Sequence, residues 1–178
     1  MSLNFIPVLV AEQQEKLAVM ADEIWHEYWP RLIGAAQTDY MVERFQSPDA
    51  IKRDMAEHGY LYWFMEDADD AHGESPGSSR IVGYTGGRVE EETHRFFISK
   101  IYLYKHERGR GYARETVEFY DALCRERGLC AMYLTVNKGN ELGVRAYLGT
   151  GFQIVDSVET PIGEGFIMDD YIMERPVG

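Results

Sequence analysis

The chain is poor in the features that mark several specialised protein classes. Among its 178 residues are only two cysteines, Cys124 and Cys130. Two are too few for a disulfide scaffold, and their placement matches no metal or redox spacing. The five histidines are scattered, and none sits at ligand spacing beside acidic or cysteine neighbours, so no metal site is expected. No run approaches the ~20 apolar residues that a membrane helix needs. Residues 1–5 carry neither a basic leader nor a long apolar stretch, so no signal peptide and a cytoplasmic protein are expected. Positive charge is scarce too: 18 Lys and Arg face 30 Asp and Glu, a net charge of −12. A general nucleic-acid binder needs a basic face, so no nucleic-acid partner is expected, and no membrane partner either. The acidic balance suits a dispersed soluble protein, and it weakly favours a cationic partner.

The chain has what a folded domain needs. Hydrophobic residues make up 45% and charged residues 27%, a globular composition. The length suits one domain, residues 1–178, with a sizeable core. Residues 3–10 read as a strand, with Pro7 suggesting an edge. Over 12–28, Leu17, Met20, Ala21, Ile24 and Tyr28 recur at helical spacing, and Pro30 ends that helix. Residues 34–37 read as a loop and Thr38-Asp39 as the next helix start. Ser47 and Pro48 supply the N-cap and first position of another helix, and Gly59 its end. The unalternating apolar run 60–65 reads as a strand buried on both faces. Acidic and breaker residues over 66–79 read as a hairpin connection. A calcium loop there lacks the spaced ligands that would have to follow Asp67, Asp69 and Asp70.

Residues 80–90 read as the partner strand, where Gly83, Gly86 and Gly87 suggest a bulge or close backbone approach. Strand 95–104, helix 113–127 and strand 131–136 then form a βαβ unit, which makes those two strands parallel. A turn, a short helix over 141–148 and a hairpin of strands 152–159 and 166–174 finish the chain.

The middle of the βαβ unit carries the sharpest motif, Arg108-Gly109-Arg110-Gly111-Tyr112-Ala113. A strand feeding a glycine-rich turn that opens a helix can hold phosphates. Glycines let the backbone approach an anion, and the first helical N–H groups have no partner within the helix. The dipole adds partial positive charge at that end. No Gly-Lys-Ser/Thr follows, so this is no P-loop, and the glycine spacing is not that of a dinucleotide fingerprint.

Arg-x-x-Gly-x-Ala at Arg108, Gly111 and Ala113 resembles the acetyl-CoA pyrophosphate motif of the GCN5-related N-acetyltransferase (GNAT) family. Further on, Leu134-Thr135-Val136-Asn137-Lys138-Gly139-Asn140, then Tyr147, then Gly151-Phe152, is similar to that family's second half in register. The resemblance implies an α/β, GNAT-like acyl-CoA N-acyltransferase fold: a mixed sheet of about seven strands with a central splayed parallel pair. It implies acetyl-CoA as acetyl donor, with Gly109 and the amides of Arg110, Gly111, Tyr112 and Ala113 on the pyrophosphate. Ile101, Tyr102 and Leu103 would hold the pantetheine arm and thioester, and Asn140 the CoA arm. Tyr147 would protonate the departing thiolate; a phenol, with its pKa near 10, keeps its proton until a basic thiolate forms. Some members carry a glutamate base on the preceding strand. Phe97 occupies that position here, and Ser99 is a poor base. Glu90, Glu91 or His94 acting through water remain open.

The strings Ile24-Trp25-His26-Glu27-Tyr28-Trp29, Asp39-Tyr40-Met41 and Ser99-Lys100-Ile101-Tyr102 look more loosely like bacterial spermidine/diamine-type members. A primary amine, a polyamine or another small amine, is therefore the leading acceptor, with Trp25, Tyr28, Trp29 and Tyr40 on the acceptor side. The alternatives are a protein N-terminus or an amino sugar as acceptor, a non-catalytic acyl-CoA-binding regulatory module, or a nucleotide-binding adaptor. The apolar strands of the terminal hairpin suggest a homodimer.

Overall fold

A computed structural model describes residues 3–68 and 79–178. The expected connection over 66–79 falls mostly outside the described residues, as do Asp69 and Asp70 of the calcium reading. The elements run β1 (Leu3–Pro7), α1 (Ala11–Tyr28), α2 (Pro30–Ile33), α3 (Ala35–Phe45), α4 (Pro48–Glu57), β2 (Leu61–Asp67), β3 (Arg80–Glu90) and β4 (Arg95–Leu103). A 3₁₀ turn (Lys105–Glu107), α5 (Tyr112–Glu126), β5 (Ala131–Asn137), α6 (Glu141–Gly149), β6 (Gln153–Gly163) and β7 (Phe166–Pro176) follow. The seven strands form one sheet in the order β1-β2-β3-β4-β5-β7-β6, antiparallel throughout except at β4–β5. Among the described residues, no helix is long and apolar enough to cross a membrane.

Side-chain spacing decides which face each helix covers. In α1, Leu17, Ala18, Met20, Ala21, Ile24 and Trp25 are buried, and most of this stripe packs with Ile51, Tyr62, Phe64 and Tyr84 on one sheet face. The stripe Val117, Tyr120 and Cys124 of α5 packs on the other face, against Phe96, Ile98, Met132 and Leu134. Ser47 accepts the Ala50 N–H at 3.3 Å, with Pro48 behind it, which is the expected start of α4.

The helices between Tyr28 and Ser47 differ from the reading of the sequence. Pro30 ends α1 but also takes the first position of α2, where its missing N–H has no consequence. Gly34, at φ +86°, then turns the chain directly into α3, so residues 35–37 are helical rather than loop. The Thr38 hydroxyl donates to the Gly34 carbonyl at 2.8 Å inside that first turn, rather than starting the helix.

The expected irregularity around the β3 glycines is a β-bulge. Gly86 pairs with Lys100 and Gly87 with Ile98, which leaves Ser99 as the extra residue of β4. A Cβ on Gly87 would lie 2.1 Å from the Phe97 carbonyl oxygen, so only glycine fits there. The extra residue inverts the alternation of β4. Ile98 faces α5, whereas Lys100 turns to the opposite face, where its ammonium donates to the Tyr62 hydroxyl at 2.7 Å and to the Phe45 carbonyl at 3.3 Å.

Candidate active site

The sheet is split at its centre. Parallel pairing of β4 with β5 runs from Arg95–Ala131 to Ile98–Leu134 and stops there, although the strands continue to Leu103 and Asn137. Beyond that point β3 holds β4 up to the Gly83–Leu103 pair, and β7 holds β5 up to the Asn137–Asp170 pair. Each strand follows its outer partner, and the bulge at Ser99 begins where the two separate.

A cavity of about 490 Å³ fills the gap. Its walls are β4 from Ile98 to Leu103, β5 from Leu134 to Asn137, and Arg108, Gly109, Gly111, Tyr112 and Ala113. Asn140, Leu142, Gly143, Ala146 and Tyr147 close one side, Trp25, Tyr28 and Trp29 another, and Met168 and Asp170 of β7 complete it. The structure thus brings together residues as far apart in sequence as Trp25 and Asp170. Two expected site residues do not line the cavity. The Arg110 guanidinium lies 3.7 Å from the buried Glu107 carboxylate, which also accepts from Arg80 at 2.8 Å. The Tyr40 hydroxyl donates to the Ile162 carbonyl at 2.6 Å, and its ring packs on Phe166.

The glycine turn has the backbone that an anion cradle requires. Gly109 and Gly111 adopt φ of +80° and +89°, where a side chain would be strained. Gly111 caps α5, and its carbonyl takes the first helical bonds, from the Arg114 and Glu115 N–H groups at 2.9 and 3.2 Å. The Tyr112 and Ala113 N–H groups precede those bonds and project from the helix end. Arg108 has a bracing geometry. Its guanidinium donates twice to the Leu103 carbonyl, at 3.1 and 3.0 Å, and lies 4.5 Å above the Tyr28 ring. It ties the end of β4 to the turn.

Asn140 is the N-cap of α6. Its side-chain oxygen accepts the Gly143 N–H at 3.0 Å and the Tyr28 hydroxyl at 2.5 Å, so its amide NH2 is the part the cap does not use. Two turns into α6, burial pushes the Tyr147 hydroxyl up to about 12, with a smaller push from Tyr28. The Tyr102 hydroxyl is raised mainly by burial, and then by Tyr147 and Asp170.

Two titratable cavity residues escaped the sequence reading. Asp170 is 4% exposed. Burial first, then its neighbour Asp169, push its carboxyl up to about 6, and Lys138 opposes the shift. The signal for it was the alternation Met168, Asp170 in an apolar strand, which puts an acid on the inward side. Lys100 is buried and pulled down to about 8 by burial, against the attraction of Asp54. Only the bulge, invisible as periodicity, sends it inward.

The possible bases named from the sequence lie elsewhere. Phe97 stacks on Tyr133 with centroids 4.9 Å apart, outside the cavity lining. Glu90 accepts the Tyr133 hydroxyl at 2.6 Å and pairs with Arg95, at the far end of β4 from Leu103. Glu91 follows in the turn there, and His94 ends it. Among the described residues, no group of three or more metal-ligating side chains is placed to hold a metal ion.

A mixed sheet split between two parallel strands, with a helix N-terminus aimed into the split, defines the acyl-CoA N-acyltransferase fold. The acetyltransferase (GNAT) family matches residues 21–152, and the chain belongs to that family. No curated protein matches it in sequence. Among solved structures it is similar to the PaiA N-acetyltransferase from Thermoplasma acidophilum in complex with coenzyme A. That match has 17% identity and a TM-score of 0.73, and it covers 99% of both chains. It is also similar to the spermidine N-acetyltransferase from Vibrio cholerae in complex with CoA and spermine, at 15% identity and a TM-score of 0.67 over 99% of this chain and 96% of that one. At such identities the likeness is one of fold.

Proposed function

We propose that this acetyltransferase moves the acetyl group of acetyl-CoA directly to a primary amine on a small molecule, with a polyamine as the leading acceptor. The observation that carries the reading is one cavity joining an anion cradle, a strand edge without a partner and a half-buried phenol. The donor fits the residues present. The outward N–H groups of Tyr112 and Ala113, with the permissive Gly109 and Gly111, suit a pyrophosphate. Residues 101–103 of β4, beyond the last β5 pair, offer backbone groups to the pantetheine arm and the thioester carbonyl. An amide donor there polarises that carbonyl as negative charge develops on it. The Asn140 amide NH2, which the cap does not use, suits the same arm.

The acceptor nitrogen attacks the carbonyl carbon, the carbon–sulfur bond breaks, and Tyr147 supplies a proton to sulfur. Trp25, Tyr28 and Trp29 give the acceptor side an aromatic wall that suits a cationic amine, and the net charge of −12 favours its approach. The Tyr40 ring and the Arg110 guanidinium lie away from the cavity lining, whereas the Arg110 backbone N–H belongs to the glycine turn. The Vibrio cholerae relative in complex with spermine supports a polyamine acceptor.

Thermal shift with acetyl-CoA, ATP and NAD tests the donor. Acetyl-CoA at 100 times its Kd should stabilise by about 2.7 kcal/mol, with little response to the others; no shift with acetyl-CoA would sink the reading. A CoA-release screen over polyamines, monoamines, amino acids, amino sugars and peptides then identifies the acceptor.

A further inference from the structure

Resting on that reading of the cavity, we propose that Asp170 is the catalytic base that takes the proton from the acceptor amine. The strand that would carry a base presents Phe97 instead, stacked on Tyr133 outside the cavity. Glu90 is committed to the Tyr133 hydroxyl at 2.6 Å, at the far end of β4. Asp170 is the carboxylate that lines the cavity among the described residues. It stands opposite Asn137, at the open end of the split, and shares the wall with Tyr147 and Tyr102.

Its surroundings suit a base. From the turn after β5, the Lys138 ammonium is drawn to the neighbouring Asp169 carboxylate, at 2.5 Å. Asp169 and Tyr102 of β4 act on it, Tyr147 of α6 shares the wall, and the Lys100 ammonium of β4, also in the lining, is turned away to the Tyr62 hydroxyl and the Phe45 carbonyl. β6 places Val158 beside Asp170. Burial and Asp169 together hold the carboxyl near 6, so it is ionised at neutral pH yet more basic than an ordinary aspartate.

The step balances. Attack of a neutral amine on the thioester carbon forms the carbon–nitrogen bond and leaves one surplus proton on nitrogen. That proton goes to Asp170. The carbon–sulfur bond breaks, and the sulfur takes the Tyr147 proton. Asp170 then returns a proton, through solvent, to the Tyr147 phenolate. The products are the N-acetyl amine and CoA thiol.

The test uses the full chain, acetyl-CoA and the best amine from the screen, over pH 5 to 9. Asp170→Asn should lower kcat about 100-fold or more, keep the acetyl-CoA Kd within twofold by calorimetry, and lose the acid limb of the kcat/KM profile near pH 6. Asp169→Asn removes the acidic neighbour and frees Lys138 to face Asp170, so its acid limb should move to lower pH with kcat at pH 8 preserved. A D170N enzyme with kcat within threefold of wild type, or an unmoved limb in D169N, overturns the assignment. Should D170N fail to fold, the D169N limb decides alone. Wild-type protein that fails to bind acetyl-CoA refutes the transferase reading itself, whereas a turning-over enzyme indifferent to both substitutions refutes only the role of Asp170.

Discussion

The Tyr147 proton is retained chiefly through burial, which pushes the phenol up to about 12. An ordinary thiolate, with a pKa near 8.5, would be too weak a base to take it. In the proposed transfer, however, the sulfur departs beside that same phenol, and desolvation raises thiols as it raises phenols. Cys124 shows the size of that effect in this protein: burial pushes its thiol up to about 11. Matched in this way, proton transfer needs no charged helper. Tyr147→Phe should therefore lower kcat about 100-fold or more, with acetyl-CoA affinity unchanged in a calorimetric titration; unchanged turnover would remove Tyr147 from the chemistry. The place of Tyr147 and Asn140 on the cavity wall was legible from the sequence because it follows from linear register within one turn-helix segment. Asp170 was not. Its side is set by how β7 inserts between β5 and β6, a choice made by the sheet and not by the ten or so residues around it.

At the scale of elements, the bulge in β4 does two things at once. It lets the strand part from β5, and it exchanges which side chains face the two helical layers, so that Tyr102 meets Trp25 edge-on at 5.4 Å. Both depend on the close approach of β3. A Cβ at Gly83 would lie 2.1 Å from the Tyr102 carbonyl oxygen, as one at Gly87 would from that of Phe97. These are backbone atoms, and they cannot rotate away. Gly87→Ala should destabilise the fold by about 2–4 kcal/mol, in the range of strongly disruptive substitutions, read as a lowered urea midpoint with unchanged slope. Gly111→Ala meets open space and differs in kind. Its strain of about 1–2 kcal/mol falls on the cradle, so the Kd for acetyl-CoA should rise several-fold while the fold survives. The glycines announced an irregularity in β3. The identity of the extra residue, Ser99 on the opposite strand, needed the pairing itself.

At the scale of the whole molecule, the element order and the parallel pair were legible because turn residues and apolar periods punctuate the chain clearly. The helices between Tyr28 and Ser47 were misread where Pro30 and Gly34 act as helix starts as well as stops. The buried charge at Asp170 also reaches global stability. Its folded pKa is raised from 3.8 to about 6, so the fold favours the protonated form. The stability this group contributes is complete below about 3.8 and is lost as pH rises through 6. About two pKa units amount to about 3 kcal/mol, so D170N should be more stable than wild type at pH 8 by up to that amount. The difference should vanish near pH 4 in paired denaturation curves, while the enzyme is crippled at every pH. Helix α1 carries a different kind of global consequence. Its last turns are fastened to the segment between β4 and the glycine turn, where Glu27 accepts the Lys105 N–H at 3.0 Å and Glu23 accepts the Tyr104 hydroxyl at 2.8 Å. The same turns hold Tyr28 against Asn140 and present the aromatic wall to the cavity. Whatever settles the cradle also settles that wall, so substrates should add in a compulsory order, with acetyl-CoA first. Deuterium uptake over residues 23–33 should fall when acetyl-CoA is added alone and change little when the amine is added alone.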